Sequence, residues 1–237
     1  VVHSQVNKTI NGINIGYIRL KQFNANASKE MSKTIRKFEK NNIHGYVLDL
    51  RSNPGGLLES SVDIARHWLN EGTIVSTQTK SGIKDIRRAN GRALTNRPVV
   101  VLVNEGSASA SEILSGAIQD NKRGFLVGEK TFGKGLVQSV RSLSDGSGLT
   151  VTIAKYLTPK GTDIHQNGIM PDVIASVSDK DMIDLTINDI GTYRDKQYKA
   201  AENTLLENLK LNTIKKTFNP FSSNISAALA KTFTAFD

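Results

Sequence analysis

Apolar and polar positions at the beginning of the chain follow the order expected of strand, helix and strand. The two kinds of residue alternate from Ile13 to Leu20, which predicts a strand. Met31, Ile35 and Phe38 then recur on one helical face. The mostly apolar stretch Gly45–Leu50 predicts a second, buried strand.

The middle of the chain continues this alternation. A second amphipathic helix is indicated by four residues that share a face, namely Leu58, Val62, Ala65 and Leu69. The segments Thr73–Thr79 and Ile83–Arg88 predict a hairpin around Ser81 and Gly82. Pro98–Val103 is the most apolar segment and predicts another strand.

A serine-rich segment, Gly106–Glu112, leads from this strand into a helix. The inner side of that helix is marked by Ile113, Leu114, Ala117 and Ile118. Further strands are predicted at Phe125–Val127, Leu136–Leu143 and Leu149–Leu157. The pattern turns helical from Met182, most clearly at Tyr198–Leu209, and becomes weak from Lys215 to Asp237.

Strands and helices that alternate in this way predict an α/β domain, in which a sheet is covered by helices and catalytic groups gather at strand ends. We expect residues 1–178 to form this core and residues 179–237 to form a helical C-terminal extension that packs on it. A separable second domain is not expected.

The composition is that of an ordinary globular protein, with 237 residues of which 38% are hydrophobic and 22% charged. The chain has no run of about 18 apolar residues, the length that spans a bilayer. The first residues, Val1–Val6, lack the basic and then apolar pattern of a signal peptide. Since the chain starts without methionine, we expect a processed form or a fragment from which any targeting segment has been removed.

The absence of cysteine excludes disulfides, thiolate metal ligands and a cysteine nucleophile. It is compatible with an oxidising compartment but leaves the compartment open. The formal net charge of +9 raises the question of nucleic acid or an anionic membrane as a partner. Lysines and arginines are spread among acids and polar groups without an aromatic stripe, so we interpret them as a solvated basic surface and expect no nucleic-acid partner.

Ser109 and Lys134 are the residues with the clearest chemistry. A serine hydroxyl needs a partner that takes its proton as it attacks. A lysine can take that proton when it is uncharged, and burial among apolar groups favours the uncharged form. The pair therefore predicts a serine hydrolase with a lysine base in a water-poor pocket.

The surroundings of Ser109 offer donors for a developing oxyanion. The serine lies where a strand hands over to a helix, and a helix N-terminus has exposed amides. The amide of Ala110 can point at the oxyanion, and two glycines of an upstream turn can approach a substrate closely. We expect Gly55 to supply the second donor, with Gly56 as the second choice.

Each of these elements also has a plainer interpretation. A run of small residues such as Ser107–Ser111 more often marks close helix packing, and a lysine between two glycines more often lies in a solvated turn. Ser107 and Ser111 are also rival nucleophiles. The joint occurrence of the two elements is what favours catalysis.

Four motifs in order resemble those of the carboxyl-terminal processing peptidases, also called tail-specific proteases. They are Asp49–Gly56, Asn104–Glu112, Gly128–Gln138, and Leu157–Gly161 together with Asn167–Asp172. The resemblance implies that Ser109 is the nucleophile, Lys134 the base and Gln138 the residue that orients the lysine. If this segment is a strand, the four-residue step returns Gln138 to the face of Lys134. Met170 stands where the family commonly has Glu, and we expect little chemical consequence.

The resemblance also implies a fold of the Clp protease and crotonase type, built of stacked ββα units. In that family a peptide-binding PDZ domain precedes the catalytic core, and its usual place would be upstream of Val1. We therefore expect the protease core and C-terminal region without the PDZ domain. The resemblance implies no cofactor and no metal.

The implied function is a serine endopeptidase that cleaves near the C-terminus of protein substrates. Asn24–Asn26 and the helix around Tyr198 most resemble cyanobacterial and chloroplast members, which trim the C-terminal extension of a photosystem II reaction-centre subunit. Peptide tails, including those of a membrane protein, are then the expected partners, in the periplasm or the thylakoid lumen. Two alternatives stay open: a catalytically silent core that binds peptide tails or serves in assembly, and a thioester-processing enzyme of the crotonase type.

Several other polar residues are interpreted as structural. Glu112 stands near a helix start, where an acid favours the helix dipole and can fix the loop beneath the nucleophile. Arg51 is expected to pair with an acid such as Asp49 or Glu112 rather than to bind a substrate carboxylate. Asp163 and Asp172 are expected to cap turns.

The four histidines have no metal-ligand spacing. They are His3, His44, His67 and His165. His67, beside Trp68 near the end of a helix, is expected to cap or pack, and the other three have no positioned acid in sequence. A Ser–His pair is therefore the weaker interpretation.

Overall fold

The computed structural model describes residues 1–178 and 185–217, and within them the chain forms ten strands and four helices. The strands are β1 (Val2–Lys8), β2 (Asn14–Leu20), β3 (Gly45–Asp49), β4 (Thr73–Thr79), β5 (Gly82–Arg88), β6 (Val99–Val103), β7 (Gly124–Gly128), β8 (Leu136–Ser142), β9 (Gly148–Leu157) and β10 (Val173–Ile174). The helices are α1 (Ala27–Glu39), α2 (Leu58–Trp68), α3 (Ala110–Asp120) and α4 (Lys196–Thr217).

A six-stranded sheet in the order β1-β2-β3-β6-β7-β10 forms the centre of the fold. Its strands from β2 to β10 run parallel, while β1 is antiparallel to β2. Tyr17 pairs with Val47 and Leu48 with Val101. Because β3 and β6 are buried along their whole length, they consist mainly of apolar residues, as parallel strands covered on both faces do.

A second sheet, antiparallel and four-stranded, has the order β5-β4-β9-β8. Strands β8 and β9 form a hairpin whose register shifts between Val137 and Gln138. Within the described residues β8 has a neighbour on one side only, so it is an edge of this sheet. Its backbone groups on the other side are open to a further strand.

The central sheet buries both of its faces. Helices α1, α2 and α3 cover one face, where Tyr46 and Trp68 meet edge to face with ring centroids 5.2 Å apart. Helix α4 covers the other face and buries Tyr198, Ala201 and Leu205 there. Full burial of a side chain such as Leu205 contributes about 1.5–3 kcal/mol to stability, so α4 contributes to the stability of the core.

The predicted α/β architecture is confirmed, and the predicted strands and helices of the core lie where the sequence pattern put them. The prediction that the chain is helical from Met182 places the start of the helix too early. The described part of that region forms turns until α4 begins at Lys196. Asp189 accounts for these turns, since its carboxylate accepts the hydroxyl of Thr186 at 2.6 Å and its carbonyl accepts the hydroxyl of Thr192. Met182 and residues 218–237 of the predicted tail lie outside the described residues.

Candidate active site

Ser109 lies between β6 and α3, where it is the N-cap of the helix. Its backbone has φ 54° and ψ −112°, a conformation that a side chain with a Cβ rarely adopts and that costs on the order of 1–3 kcal/mol. The side chain is half-buried. The predicted handover from strand to helix thus holds the serine in a strained turn at the positive end of the helix.

Glu112, one turn into α3, ties the serine to the segment that contains Lys134. Its carboxylate is fully buried and accepts four hydrogen bonds. The donors are the amides of Ser109 (2.8 Å), Gly133 (2.7 Å) and Lys134 (2.9 Å) and the hydroxyl of Thr131 (2.6 Å). The two elements that the sequence paired therefore lie side by side, and Glu112 has the loop-fixing position expected of it.

The turn after β3 packs directly against Ser109. A Cβ added to Gly55 would lie 2.9 Å from Ser109 Cβ and 2.6 Å from the carbonyl oxygen of Ala108, so no other residue fits without movement. Asn53 holds the turn, because its carbonyl accepts the amide of Ala108 (3.0 Å) and the hydroxyl of Ser111 (2.9 Å).

The predicted oxyanion donors are only partly available. The amide of Ala110 makes no hydrogen bond to any described residue, as expected for a donor at a helix start. The amide of Gly55, in contrast, donates to Asn53 Oδ1 at 2.9 Å. This bond occupies the Gly55 amide that was predicted to be the second oxyanion donor. The amide of Gly56, in contrast, is unbonded over the part of the chain that the structure describes. Gly56, the second choice, is therefore the better fit to this conformation.

The side chains of Lys134 and Gln138 lie at the protein surface. Lys134 is exposed, and its ammonium contacts no acceptor among residues 1–178 and 185–217. No hydrogen bond joins it to the Ser109 hydroxyl, and the water-poor pocket expected for the pair is not formed around it. The four-residue argument for Gln138 also needs correction, because Lys134 precedes β8, which begins at Leu136.

The rival serines are engaged in the fold. The hydroxyl of Ser107 donates to the carbonyl of Leu50 at 2.8 Å, and that of Ser111 donates to the carbonyl of Asn53 at 2.9 Å. Both side chains are fully buried. Of the three serines, only Ser109 is open to a substrate.

The structure supports the structural interpretation of the other polar residues. Asp163 accepts the amide of His165 at 2.8 Å, as expected of a turn cap, and pairs with Lys155. Asp172 does not cap a turn as expected, because its carboxylate accepts the amide of Leu126 in β7 at 2.8 Å and so joins distant segments. Three histidines, His3, His44 and His165, have no hydrogen bond to Ser109.

His67 on α2 contacts Ser28 at the start of α1, with Nε2 3.0 Å from the hydroxyl and 3.1 Å from the carbonyl oxygen. Burial lowers the pKa of this histidine. It is a packing residue, as expected.

Arg51 pairs with Asp49, as the sequence suggested, and also with Asp195 and Gln197 at the start of α4. These last two partners were missed, because no local pattern links positions so far apart in sequence. Thr131, whose hydroxyl binds Glu112, was missed for the same reason.

The described residues contain no group of three or more His, Asp or Glu side chains arranged to hold a metal ion. None of the helices in residues 1–178 and 185–217 is long and apolar enough to cross a membrane.

Several known proteins are similar to this chain in sequence or in structure. A carboxyl-terminal-processing protease of Synechocystis is 54% identical over 200 residues, which are 84% of this chain and 46% of that protein. The chloroplastic carboxyl-terminal-processing peptidase 3 of Arabidopsis thaliana is 50% identical over 160 residues, or 67% of this chain and 31% of that one. Among solved structures, a photosystem II D1 C-terminal processing protease is 42% identical with a TM-score of 0.71, over 74% of this chain and 48% of that chain.

The chain thus spans less than half the length of each of these relatives. The model of peptidase family S41 matches residues 14–175, which include Ser109, Glu112 and Lys134. The chain belongs to peptidase family S41.

Proposed function

We propose that this chain carries the catalytic site of a serine endopeptidase that cleaves protein substrates near their C-terminus. The single observation that carries the proposal is the carboxylate of Glu112, which binds the amides of Ser109 and Lys134 together. A nucleophile and an amine are thereby held on adjoining segments, which a peptidase of this type requires. Membership of family S41 supports the same conclusion.

In the proposed mechanism the Ser109 hydroxyl attacks the scissile carbonyl carbon. Uncharged Lys134 accepts the hydroxyl proton as the bond forms and later delivers it to the leaving amine, so that an acyl-serine remains for water to hydrolyse. Gln138 orients the lysine. The amides of Ala110 and Gly56 hold the oxyanion, and each is worth on the order of 3 kcal/mol in the transition state.

Because the side chain of Lys134 is exposed, the proposed mechanism includes a movement of this side chain. The lysine must move towards Ser109 and lose contact with water, because burial is what favours its uncharged form. The flexible four-carbon side chain of Lys134 allows this movement. The amide bonds to Glu112 hold the base of the segment while the side chain moves.

The substrate tail is proposed to bind as an added strand beside β8. This strand is an edge of the antiparallel sheet, starts two residues after Lys134 and contains Gln138. Backbone pairing along such an edge tolerates varied side chains, which suits an enzyme that accepts peptide tails.

A substrate of this kind is the C-terminal extension of a photosystem II reaction-centre subunit, a membrane protein, processed in the thylakoid lumen or the periplasm. The similarity to a D1 C-terminal processing protease supports this assignment. No cofactor takes part in the proposed reaction.

The test is cleavage, by the intact protein, of a peptide that ends in such an extension. Ser109→Ala and Lys134→Ala are each expected to abolish cleavage while the thermal unfolding curve stays close to that of the parent. Lys130→Ala, which alters another exposed lysine in the same segment, is the matched control and should retain activity. Full activity of Lys134→Ala would eliminate the proposed base.

The second candidate is a catalytically silent core that holds peptide tails. The observation in its favour is that no hydrogen bond joins Ser109 to Lys134 in this structure. A serine-reactive phosphonate distinguishes the two: labelling of Ser109 in the intact protein supports the peptidase, and peptide binding without labelling supports the silent core.

A further inference from the structure

Arg51 is buried at the base of the turn at residues 52–56, where all five of its guanidinium N–H groups have acceptors. Nε donates to Asp49 at 3.0 Å. One terminal nitrogen donates to Asp49 and to Asp195, both at 2.6 Å. The other donates to Asp195 at 2.9 Å and to Gln197 at 3.0 Å. Three of these five hydrogen bonds therefore go to the C-terminal part of the chain.

The charges of this group depend on one another. Burial alone would lower the pKa of Arg51, but Asp49 and Asp195 outweigh burial and raise it. Burial alone would raise the pKa of Asp195, but its hydrogen bond and charge interaction with Arg51 outweigh burial and lower it. Removing Arg51 would leave two buried carboxylates without a cation, whereas removing the charge of Asp195 leaves Arg51 paired with Asp49 and weakens the contact with α4.

Asp195 is itself fixed by the first turn of α4. Its carboxylate accepts the amides of Gly191 (3.0 Å) and Tyr198 (3.1 Å), so it caps the helix and closes the preceding turn. Tyr198 is buried against the central sheet. Gln197, next to it, also donates to the carbonyl of Ala175 at 2.8 Å. The acceptors that meet Arg51 thus belong to a rigid, packed element.

From Arg51 the connection to the active site is short. The next residue, Ser52, has φ 54° and donates its amide to the side chain of Asn104 at 2.7 Å. The residue after that, Asn53, holds the amide of Gly55, and Gly55 packs against Ser109. A shift of the Arg51 backbone would therefore move the glycine amides relative to the nucleophile.

We propose that Asp195 is a positioning residue of the peptidase site, which acts through Arg51 to hold the turn at residues 52–56 in place beside Ser109. Asp195 touches no reacting atom. Only the expected effect on kcat rests on the proposed function. The contact between α4 and the turn exists whether or not the protein cleaves peptides. Displacement of an oxyanion donor by about 1 Å is enough to cost up to about a hundredfold in rate, so a small movement of this turn affects turnover.

The first measurement is backbone hydrogen exchange by mass spectrometry on Asp195→Asn in the intact protein. The hydrogen-bonded amides of residues 52–57, those of Ser52, Asn53, Gly55 and Leu57, are expected to exchange about tenfold faster than in the parent. The matched control is Asp189→Asn, which removes a carboxylate that also caps turns before α4 but does not touch Arg51. Unchanged exchange of residues 52–57 in Asp195→Asn would overturn the proposal whether or not the protein cleaves peptides.

The second measurement is steady-state cleavage. Asp195→Asn is expected to lower kcat about tenfold with KM changed less than about twofold, because the turn acts on the transition state rather than on binding of the tail. Asp189→Asn should keep the parental kcat. An equal loss of kcat in both variants would reveal a general effect on folding and overturn the positioning role. A parent that cleaves nothing would defeat the proposed function instead, and hydrogen exchange would still decide the inference.

A rescue variant separates charge from packing. Asp195→Asn combined with Gln197→Glu returns a carboxylate to the side of Arg51 that faces α4, and should recover most of the lost kcat. If Asp195→Asn does not fold, Gln197→Ala leaves both aspartates in place and is expected to lower kcat about threefold by loosening the same contact. A folded Gln197→Ala with parental kcat and parental exchange would then contradict the proposal.

Discussion

The buried carboxylate of Glu112 accepts hydrogen bonds from the backbone amide of Lys134 at 2.9 Å and from the backbone amide of Ser109 at 2.8 Å. One acid thus holds the two chemically active segments together through their backbones and leaves both side chains free. This explains how the segments stay adjacent even though the Lys134 side chain lies in solvent.

Replacing Glu112 by Gln should loosen this junction. An amide side chain offers one acceptor oxygen instead of two, so at least one buried donor is left unpaired, at a cost of about 1–3 kcal/mol. We expect a lower free energy of unfolding and a kcat reduced about tenfold or more. Denaturant titration and peptide cleavage measure the two effects. Glu105→Gln changes an exposed acid nearby and serves as control; if it were as damaging as Glu112→Gln, the junction would not be the cause.

Gly55→Ala should inactivate the protein through a steric effect. The added methyl group would lie 2.6 Å from the carbonyl oxygen of Ala108, so the turn must move away from Ser109. Gly82 is a suitable control, since its φ of 114° is close to the 100° of Gly55 and a Cβ there meets nothing within 4 Å. Gly82→Ala should cost about 1–2 kcal/mol of stability through its backbone conformation alone and keep its activity. Comparable activity of the two variants would contradict the steric argument.

Ser111→Ala should lose about 1 kcal/mol of stability, because it removes one buried hydrogen bond to a backbone carbonyl. Ser107→Ala should lose more, because the Ser107 hydroxyl also accepts the amide of Asn104 at 3.0 Å. Both variants should still react with a serine-directed phosphonate, whereas Ser109→Ala should not. Mass spectrometry of the labelled peptide checks this. Labelling that persists in Ser109→Ala would show that one of the neighbouring serines is the nucleophile.

The stability of the protein should fall as the pH drops below about 6.5, in part because of His67. Burial lowers the pKa of this imidazole in the folded protein from its ordinary value of 6.5. Between the two pKa values the unfolded chain binds more protons than the folded one, so stability decreases with falling pH across that window and levels off below the folded pKa.

Denaturant unfolding at about pH 7.5 and about pH 5.5 measures this loss, and His67→Gln should reduce it. His3→Gln, at an exposed position of β1, is the control and should behave as the parent does. An identical loss in the parent and in His67→Gln would exclude the histidine as its source.

Much of the fold was predictable, because strands such as β6 and helices such as α2 have hydrophobic patterns that local sequence determines. The adjacency of Ser109 and Glu112 was predictable for the same reason, since they occupy the cap and first turn of one helix. The bonds from Glu112 to Gly133 and from Arg51 to Asp195 were not, because they join segments that only the tertiary fold brings together.

The oxyanion donors illustrate a further limit. The sequence identified the turn that approaches Ser109 but not which glycine amide is without a partner among the described residues, because the side chain of Asn53 decides this by accepting the amide of Gly55. The sequence left the exposure of Lys134 open, since the flanking glycines permit a buried and a solvated path alike.

The unusual dihedral angles of Ser109 lower the stability of the fold at the position that the proposed reaction needs. Glycine adopts a positive φ without the penalty that a Cβ brings, so Ser109→Gly should relieve part of the strain, on the order of 1–3 kcal/mol. A protein that has lost its nucleophile should then melt at a higher temperature than its parent, which calorimetry can test. Selection for thermal robustness alone would discard this serine.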